Sequence, residues 1–390
     1  MRVLHVYKSY YPDSFGGIEQ VIFQLARGLR THGVESRILT LSQEASPAVL
    51  RRPEGDVYRF KITTQVASNP VSIAAVRGFR QHAQWADVIH YQFPWPFADL
   101  LHLLHGRQVS SVVTYQSDIV RQKYLLQAYR PLMRRFLGSM DAVVATSPNY
   151  VASSAVLGGL RRSIDIVPNG IDENVLPAAD PRTVAHWREK LGQGFFLFVG
   201  VLRYYKGIHV LLEAARHVGR PVVVAGAGPE MQALQLLAAE LALDHVHFVG
   251  EISDRDKVAL YTLADAFVFP SNLRSEAFGM SLAEASLFGK PMITCEIGTG
   301  TSFINQNGVT GLTVPPDDPF ALAQAMQRLI QEPESVRRMG QAARHRFESL
   351  LTGQSMAAAY MRIYQRITAA RALRASPQPD ETAAIRSQYE

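Results

Sequence analysis

One cysteine, Cys295, stands in 390 residues. That excludes an internal disulfide and any cysteine-rich metal site, and it suits a reducing, cytoplasmic setting. No apolar run approaches the ~20 residues that a membrane-spanning helix needs. The opening MRVLHVYKSYY lacks the layout of a signal peptide and reads as a first strand. Several chemistry-bearing signatures are missing as well. There is no G-x-G-x-x-G, no Walker G-x-x-x-x-G-K-[ST], no G-x-S-x-G and no H-E-x-x-H. The histidines are scattered without metal-ligand spacing.

What is present is apolar and evenly mixed. Hydrophobic residues make up 47% and charged residues 19%, the balance of a globular chain. Its length exceeds one ordinary core and implies two domains. The net charge of +6 is uneven: residues 1–172 hold 19 Lys+Arg against 12 Asp+Glu, and the rest hold 21 against 22. All the surplus positive charge therefore lies in the first half. It suits an anionic partner (nucleic acid, acidic lipid or a phosphorylated substrate) or serves only as a soluble surface.

Short β-rich runs alternate with amphipathic helical runs. Strands are expected at 2–7, 36–41, 87–93, 110–116, 142–147 and 164–169, Val/Ile-rich and apolar on both faces as buried parallel strands are. Ile18, Val21, Ile22, Leu25, Ala26 and Leu29 form a helical stripe between the first two. The pattern restarts with strands at 195–200, 221–226, 246–250, 266–271 and 291–296. This predicts an α/β fold of two Rossmann-like domains in series, 1–175 and 176–350, with the polar stretch 170–190 as linker. A helix near 353–369 carries Met356, Tyr360, Ile363, Tyr364 and Ile367 on one face, and caps the second domain or crosses back to the first. The polar tail 376–390 is expected to be flexible.

Paired domains of this kind bind ligands between them, at the carboxyl ends of the strands. Five loops there draw attention. KSYYPDSFGG (8–17) ends in Gly16-Gly17 at a helix start, which favours anions or is an ordinary turn. VGVLRYYKG (199–207) puts Arg203 and Lys206 three apart, enough to neutralise a diphosphate or to form a solvated basic turn. AGAGPE (225–230), with Gly226, admits a planar base or a sugar, or is a tight turn. SEAFGMSLAE flanks the turn Phe278-Gly279-Met280 with Glu276 and Glu284. Glu284 falls roughly 7.5 Å along the helix from its start, so the two carboxylates suit two parts of one extended polyol ligand. SDRD (253–256) has an Asp-x-Asp spacing that some metal-dependent transferases use, but a helix cap explains it fully.

These loops in this order resemble glycosyltransferase family 4, the retaining nucleotide-sugar transferases of GT-B fold. The carrying motifs are GGIE, VPNGID (167–172), VGVLRYYKG, AGAGPE, FVGEI (248–252), FPS (269–271) and Glu276 to Glu284 with its Phe-Gly turn. HYQFPWPFADL, VVTYQSDIVRQKYL, YRPLMRRFL and EIGTGTSFIN resemble a narrower group, the mannosyl- and rhamnosyltransferases of bacterial O-antigen or exopolysaccharide synthesis. The resemblance implies that Glu276 and the amides of Phe278, Gly279 and Met280 bind the donor sugar, and that Glu284 binds the ribose. It implies that Gly16, Gly17, Arg203 and Lys206 face the diphosphate and that Gly250, Glu251 and Ile252 meet the nucleobase. It further implies a last helix that crosses back, and no metal or other cofactor.

Two positions depart from the family pattern. Val201 stands where an arginine is common, so Arg203 is expected to substitute. Gln116 stands where relatives carry histidine near the sugar's 6-position, and is expected either to tune donor choice, toward a 6-deoxy sugar, or simply to exchange one polar contact for another. Asp118 is a candidate orienting or acid/base group. The basic segment with Arg121, Lys123, Arg130, Arg134 and Arg135 reads as an amphipathic helix for an anionic membrane, or as a plain outer face. The expected partners are a nucleotide sugar, a GDP-linked one above all, and a lipid-linked saccharide at the inner face of the plasma membrane, with no nucleic acid. A UDP-sugar transferase, an epimerase of the same fold, a non-catalytic nucleotide-sugar-binding protein and an NAD-dependent oxidoreductase are the alternatives; the last lacks its glycine fingerprint.

Overall fold

The computed structural model describes residues 1–66, 69–119 and 123–375. Arg121 and the tail 376–390 lie outside the described residues, as do the side chains of Lys123 and Tyr124. Two sheets follow one another along the chain. The first has eight strands, ordered Asp165–Ile166, Ala142–Ala145, Ser110–Tyr115, Val88–Phe93, Arg2–Val6, Glu35–Ser42, Gly55–Lys61 and Val49–Arg52. All pair in parallel except the last, which is antiparallel at the edge. The second has six strands, all parallel: Val246–Gly250, Val222–Ala225, Phe196–Val199, Ala266–Phe269, Met292–Cys295 and Gly311–Val314.

The period-two alternation of a strand sends neighbours to opposite faces. In the first sheet Leu4, Val6, Ile89 and Tyr91 join one buried cluster, and Val3, Val88 and Val112 join another. Val21, Leu25 and Leu29 of the helix Gly17–Arg30 complete that second cluster. So do Met356, Tyr360, Ile363, Tyr364 and Ile367 of the helix Gly353–Ala375. This helix therefore crosses back from the second half onto the first sheet. Burying each such side chain contributes roughly 1.5–3 kcal/mol.

Several elements differ from expectation. Residues 49–52 and 55–61 form the outermost and the next-to-outermost strand on one side of the first sheet, and their charged residues hide the pattern. Gly311–Val314 adds a sixth strand to the second sheet. The last strand of the first half shrinks to Asp165–Ile166. About half of the supposed linker 170–190 is the helix Pro181–Leu191, capped by Asp180, with Val184, Trp187 and Leu191 buried. The crossing between the halves is instead two short extended segments side by side. Ile171 N–H donates to Leu351 O (2.9 Å) and Gly353 N–H donates to Ile171 O (2.9 Å). A side chain at Gly170 would run into the Thr352 carbonyl.

Candidate active site

The turn between Phe269 and the helix Met280–Leu287 carries the first carboxylate. Gly279 caps that helix with φ +92°, a conformation that L side chains avoid. Among the described residues the N–H groups of Phe278, Gly279 and Met280 meet no backbone acceptor, so three donors converge at the helix start. Glu276 is buried, and its Oε2 accepts from Lys206 Nζ at 2.5 Å and from Ser271 Oγ at 3.4 Å. Lys206 closes the 3-10 turn Tyr204–Lys206, its ammonium 4.6 Å from the Phe269 ring. Burial pushes the Tyr205 hydroxyl up to about 12; the Glu276 charge adds to the rise and Arg203 opposes it.

Lys206 thus pairs with Glu276, while Arg203 is exposed and has no carboxylate at ion-pair distance among the described residues. Arg203 points its field at the first half. Burial lowers the Lys8 ammonium; Glu19 opposes this fall and Arg203 deepens it. Lys8 carries no local signal beyond its place in the 8–17 loop.

That loop is built as a rigid shelf. Ser9 and Ser14 each donate to Glu19 Oε1 at 2.7 Å. The Glu19 carboxylate sits at the helix start, where the dipole favours it, and crowds the side of Gly16 that a side chain would occupy. Gly17 faces open space, and the N–H groups of Gly17 and Ile18 meet no backbone acceptor among the described residues. Farther back, Tyr10 donates to Glu54 (3.0 Å), and Arg59 clasps Asp13 through Nε (2.9 Å) and Nη2 (2.6 Å). Arg59 also donates to Glu44 O (2.6 Å) and Pro47 O (3.1 Å). The strand Gly55–Lys61 that the sequence conceals is therefore the anchor of this loop.

Glu284 is buried with its Oε1 2.8 Å from Lys257 Nζ; Gln20 Nε2, from the other half, and the Tyr261 hydroxyl are each at 3.5 Å. Burial alone would lower the Lys257 ammonium, but Glu284 and Asp254 together raise it above its ordinary value. Asp254 therefore belongs to Lys257, at 3.0 Å. Ser253 caps the helix Asp254–Leu263 in a reciprocal box with Asp256, as the capping explanation of SDRD requires.

The Gly-x-Gly turn serves packing. Gly226 has φ +132°, and a side chain there would strike the Gly200 carbonyl. Its N–H donates to Gly250 O at 2.7 Å, so three strand ends lie side by side. Beyond them Glu251 is exposed and Ile252 half-buried.

Across the cleft, Gln116 follows the strand Ser110–Tyr115 and is 5% exposed, with Nε2 donating to Gln92 Oε1 at 2.8 Å. Asp118 is saturated: Tyr115 and Ser154 hydroxyls donate to Oδ1 at 2.8 Å each, and Arg274 Nη2 lies 3.1 Å from Oδ2. Arg274 also donates to Ser153 Oγ (2.8 Å) and covers the Tyr150 ring. Asp118 thereby ties the first half to the segment that carries Glu276. The turn leans on the first half besides: Ala277 joins one of its clusters and Met280 packs against the other. Sequence reasoning missed Lys8, Glu19, Arg59, Lys257 and Arg274. Lys257 had a local sign in its i,i+3 spacing from Asp254, and Glu19 had one as the last residue of GGIE.

Residues 15–175 match the family model described as Glycosyltransferase Family 4, and residues 181–346 match that of Glycosyl transferases group 1. The chain is 51% identical over 352 residues to the D-rhamnosyltransferase WbpZ of Pseudomonas aeruginosa, covering 90% of this chain and 92% of that one. It is 46% identical over 364 residues to the O-antigen chain mannosyltransferase C of Escherichia coli, covering 93% and 98%. Among solved structures, sucrose-phosphate synthase from Thermosynechococcus elongatus superposes with a TM-score of 0.80 at 22% identity, covering 95% of this chain and 99% of that one. Anabaena HepE in complex with UDP and glucose gives 0.77 at 18%, covering 94% and 100%.

Proposed function

The chain is a member of glycosyltransferase family 4 with the GT-B fold, and from that premise we propose that it is a retaining hexosyltransferase that moves mannose or rhamnose from a GDP-linked donor to a lipid-linked saccharide in O-antigen synthesis. The observation that carries this reading is the convergence at the second sheet's carboxyl edge: a buried Glu276 held by Lys206, three free amides at 278–280, and Glu284 farther along the same helix. The names of the two relatives support the choice of sugar and pathway.

In this reading Glu276 and the three amides take the sugar hydroxyls, and Glu284 takes the ribose. Lys257 holds the Glu284 carboxylate in place for the ribose. Arg203, Lys206, Lys8 and the open side of Gly17 carry the diphosphate charge as the C1–O bond breaks, a field fixed in advance and so costing no reorganisation. The reading calls for no metal. The nucleobase rests at 250–252, and Gln116 faces the sugar from the opposite sheet. Attack comes from the face that the phosphate leaves, with its oxygen drawing the acceptor's proton. Asp118 is assigned to posture, holding Arg274.

Membrane contact belongs to the helix Lys123–Ser139. Met133, Phe136 and Leu137 are buried, while Arg130, Arg134 and Arg135 are exposed, without an ion-pair partner among the described residues, and Leu125 is half-exposed. No helix among the described residues is long and apolar enough to cross a membrane. Such a face suits peripheral attachment to anionic lipid, beside a lipid-linked acceptor. Incubation with a panel of GDP- and UDP-sugars and a lipid-linked acceptor tests the function. Transfer from GDP-mannose or GDP-rhamnose is expected, and transfer from UDP-sugars alone would reverse the donor assignment.

A further inference from the structure

A line of polar side chains runs under the first sheet from the return helix to the cleft. His90 and Gln92 lie two apart on the strand Val88–Phe93, hence on one face. His90 is fully buried, with Nδ1 2.7 Å from the Tyr364 hydroxyl and Nε2 2.7 Å from Thr114 Oγ1. Thr114 Oγ1 is in turn 2.6 Å from the Tyr360 hydroxyl. Gln92, 1% exposed, turns its Nε2 toward His90 Nε2 at 3.5 Å and accepts at Oε1 from Gln116 Nε2 at 2.8 Å.

Directions follow from the inventory of donors. Gln116 gives a proton to the Gln92 carbonyl, so Gln92 presents its amide nitrogen to His90. His90 Nε2 must then accept, which places the ring proton on Nδ1, donating to Tyr364. Thr114 gives its hydroxyl proton to Nε2 and takes one from Tyr360. Burial, reinforced by His5, holds His90 well below its ordinary value, so the ring stays neutral with one donor and one acceptor nitrogen, and the partners above set which is which. Turning the Gln116 amide over would set two carbonyl oxygens against each other. As it stands, Gln116 Oε1 meets no protein donor among the described residues.

We propose that Gln92 and His90 are positioning residues that fix the Gln116 amide with its carbonyl oxygen toward the cleft, and that this fixed acceptor discriminates between donor sugars. The proposal rests on the reading that Gln116 faces the donor sugar. A rigid acceptor rewards a hydroxyl and penalises a carbon that lacks one; an amide free to rotate does neither.

The experiment is calorimetric and needs no acceptor. Dissociation constants for GDP-mannose and GDP-rhamnose are measured on the parent chain, Gln116→Leu, Gln92→Met, Gln92→Glu and Tyr364→Phe. The parent is expected to favour GDP-mannose, which keeps the hydroxyl, a preference opposite to the 6-deoxy lean that the sequence suggests for Gln116. Gln92→Met and Gln116→Leu should move the ratio toward one by ~3- to 10-fold, the worth of one hydrogen bond. Gln92→Glu still accepts from Gln116 and should keep the parent ratio, a rescue that a merely structural role would not show. Tyr364→Phe should shift the ratio in the same direction as Gln92→Met, by less. A ratio altered by Gln116→Leu but not by Gln92→Met or Tyr364→Phe overturns the relay while sparing the reading of Gln116. A ratio unaltered by Gln116→Leu, a parent that does not discriminate, or one that binds neither sugar removes both.

Discussion

Glu276 is buried against Lys206, so its substitution acts on two quantities at once. Glu276→Ala leaves an ammonium buried without its partner and should cost about 3–5 kcal/mol of stability. Glu276→Gln keeps shape and a hydrogen bond, and should cost less. Both should lower transfer by ~10²-fold or more, because the sugar loses a carboxylate acceptor. Urea unfolding checks the first statement, and an Ala variant as stable as the parent would show that the pair is not a stabiliser. Lys8 offers a pH test. Its folded-state ammonium is lowered, chiefly by burial, so it loses its proton sooner than an ordinary lysine as pH rises. An anion binds the charged form, so GDP affinity should fall through that alkaline range, and Lys8→Met should flatten the fall. The two glutamates could be read from their spacing around Gly279. Their partners could not: Lys206 lies 70 residues from Glu276, Arg274 lies 156 from Asp118, and Gln20 lies 264 from Glu284. Contacts of that span depend on the assembled fold and leave no local periodicity.

Elements show the same division. The central parallel strands are apolar on both faces and stand out as Val/Ile runs. The outer strands Val49–Arg52 and Gly55–Lys61 do not, because Arg51, Arg52, Asp56, Arg59 and Lys61 interrupt the pattern. Charge on the edge strand Val49–Arg52 blocks unwanted pairing, while the inner neighbour Gly55–Lys61 supplies the buried Arg59. Arg59→Met should release the 8–17 loop and weaken GDP binding by ~5- to 10-fold, with Arg59→Lys between variant and parent, since one fork of charge-assisted bonds is at stake. Unchanged affinity by calorimetry would mean that the loop holds itself. The helix Pro181–Leu191 was hidden by the four charges around Val184, Trp187 and Leu191. The return helix, by contrast, was legible from its stripe, though not its destination. Ile363 is packed in the first-half cluster, and Ile363→Ala should cost about 2–5 kcal/mol in urea unfolding.

At the scale of the whole molecule, two halves meet through the 170–172 and 351–353 crossing, the return helix, and the Arg274–Asp118 clasp. The clasp is partly exposed, so its worth is modest in energy and larger in geometry. Arg274→Met and Asp118→Asn should each lower activity, and the double variant should lose less than the two single losses combined, because both break the same contact. The surplus positive charge of the first half finds its place in the exposed arginines of the helix Lys123–Ser139. Replacing Arg130, Arg134 and Arg135 with Gln should abolish co-sedimentation with anionic vesicles at low salt while leaving GDP binding intact. The central claim is the transfer itself. Its most direct measurement supplies GDP-mannose or GDP-rhamnose and a lipid-linked saccharide, then reads the anomeric configuration of the product by NMR. The account predicts a transferred hexose with the donor's configuration retained, lost in Glu276→Gln. An inverted product, or the same yield from Glu276→Gln, would contradict it.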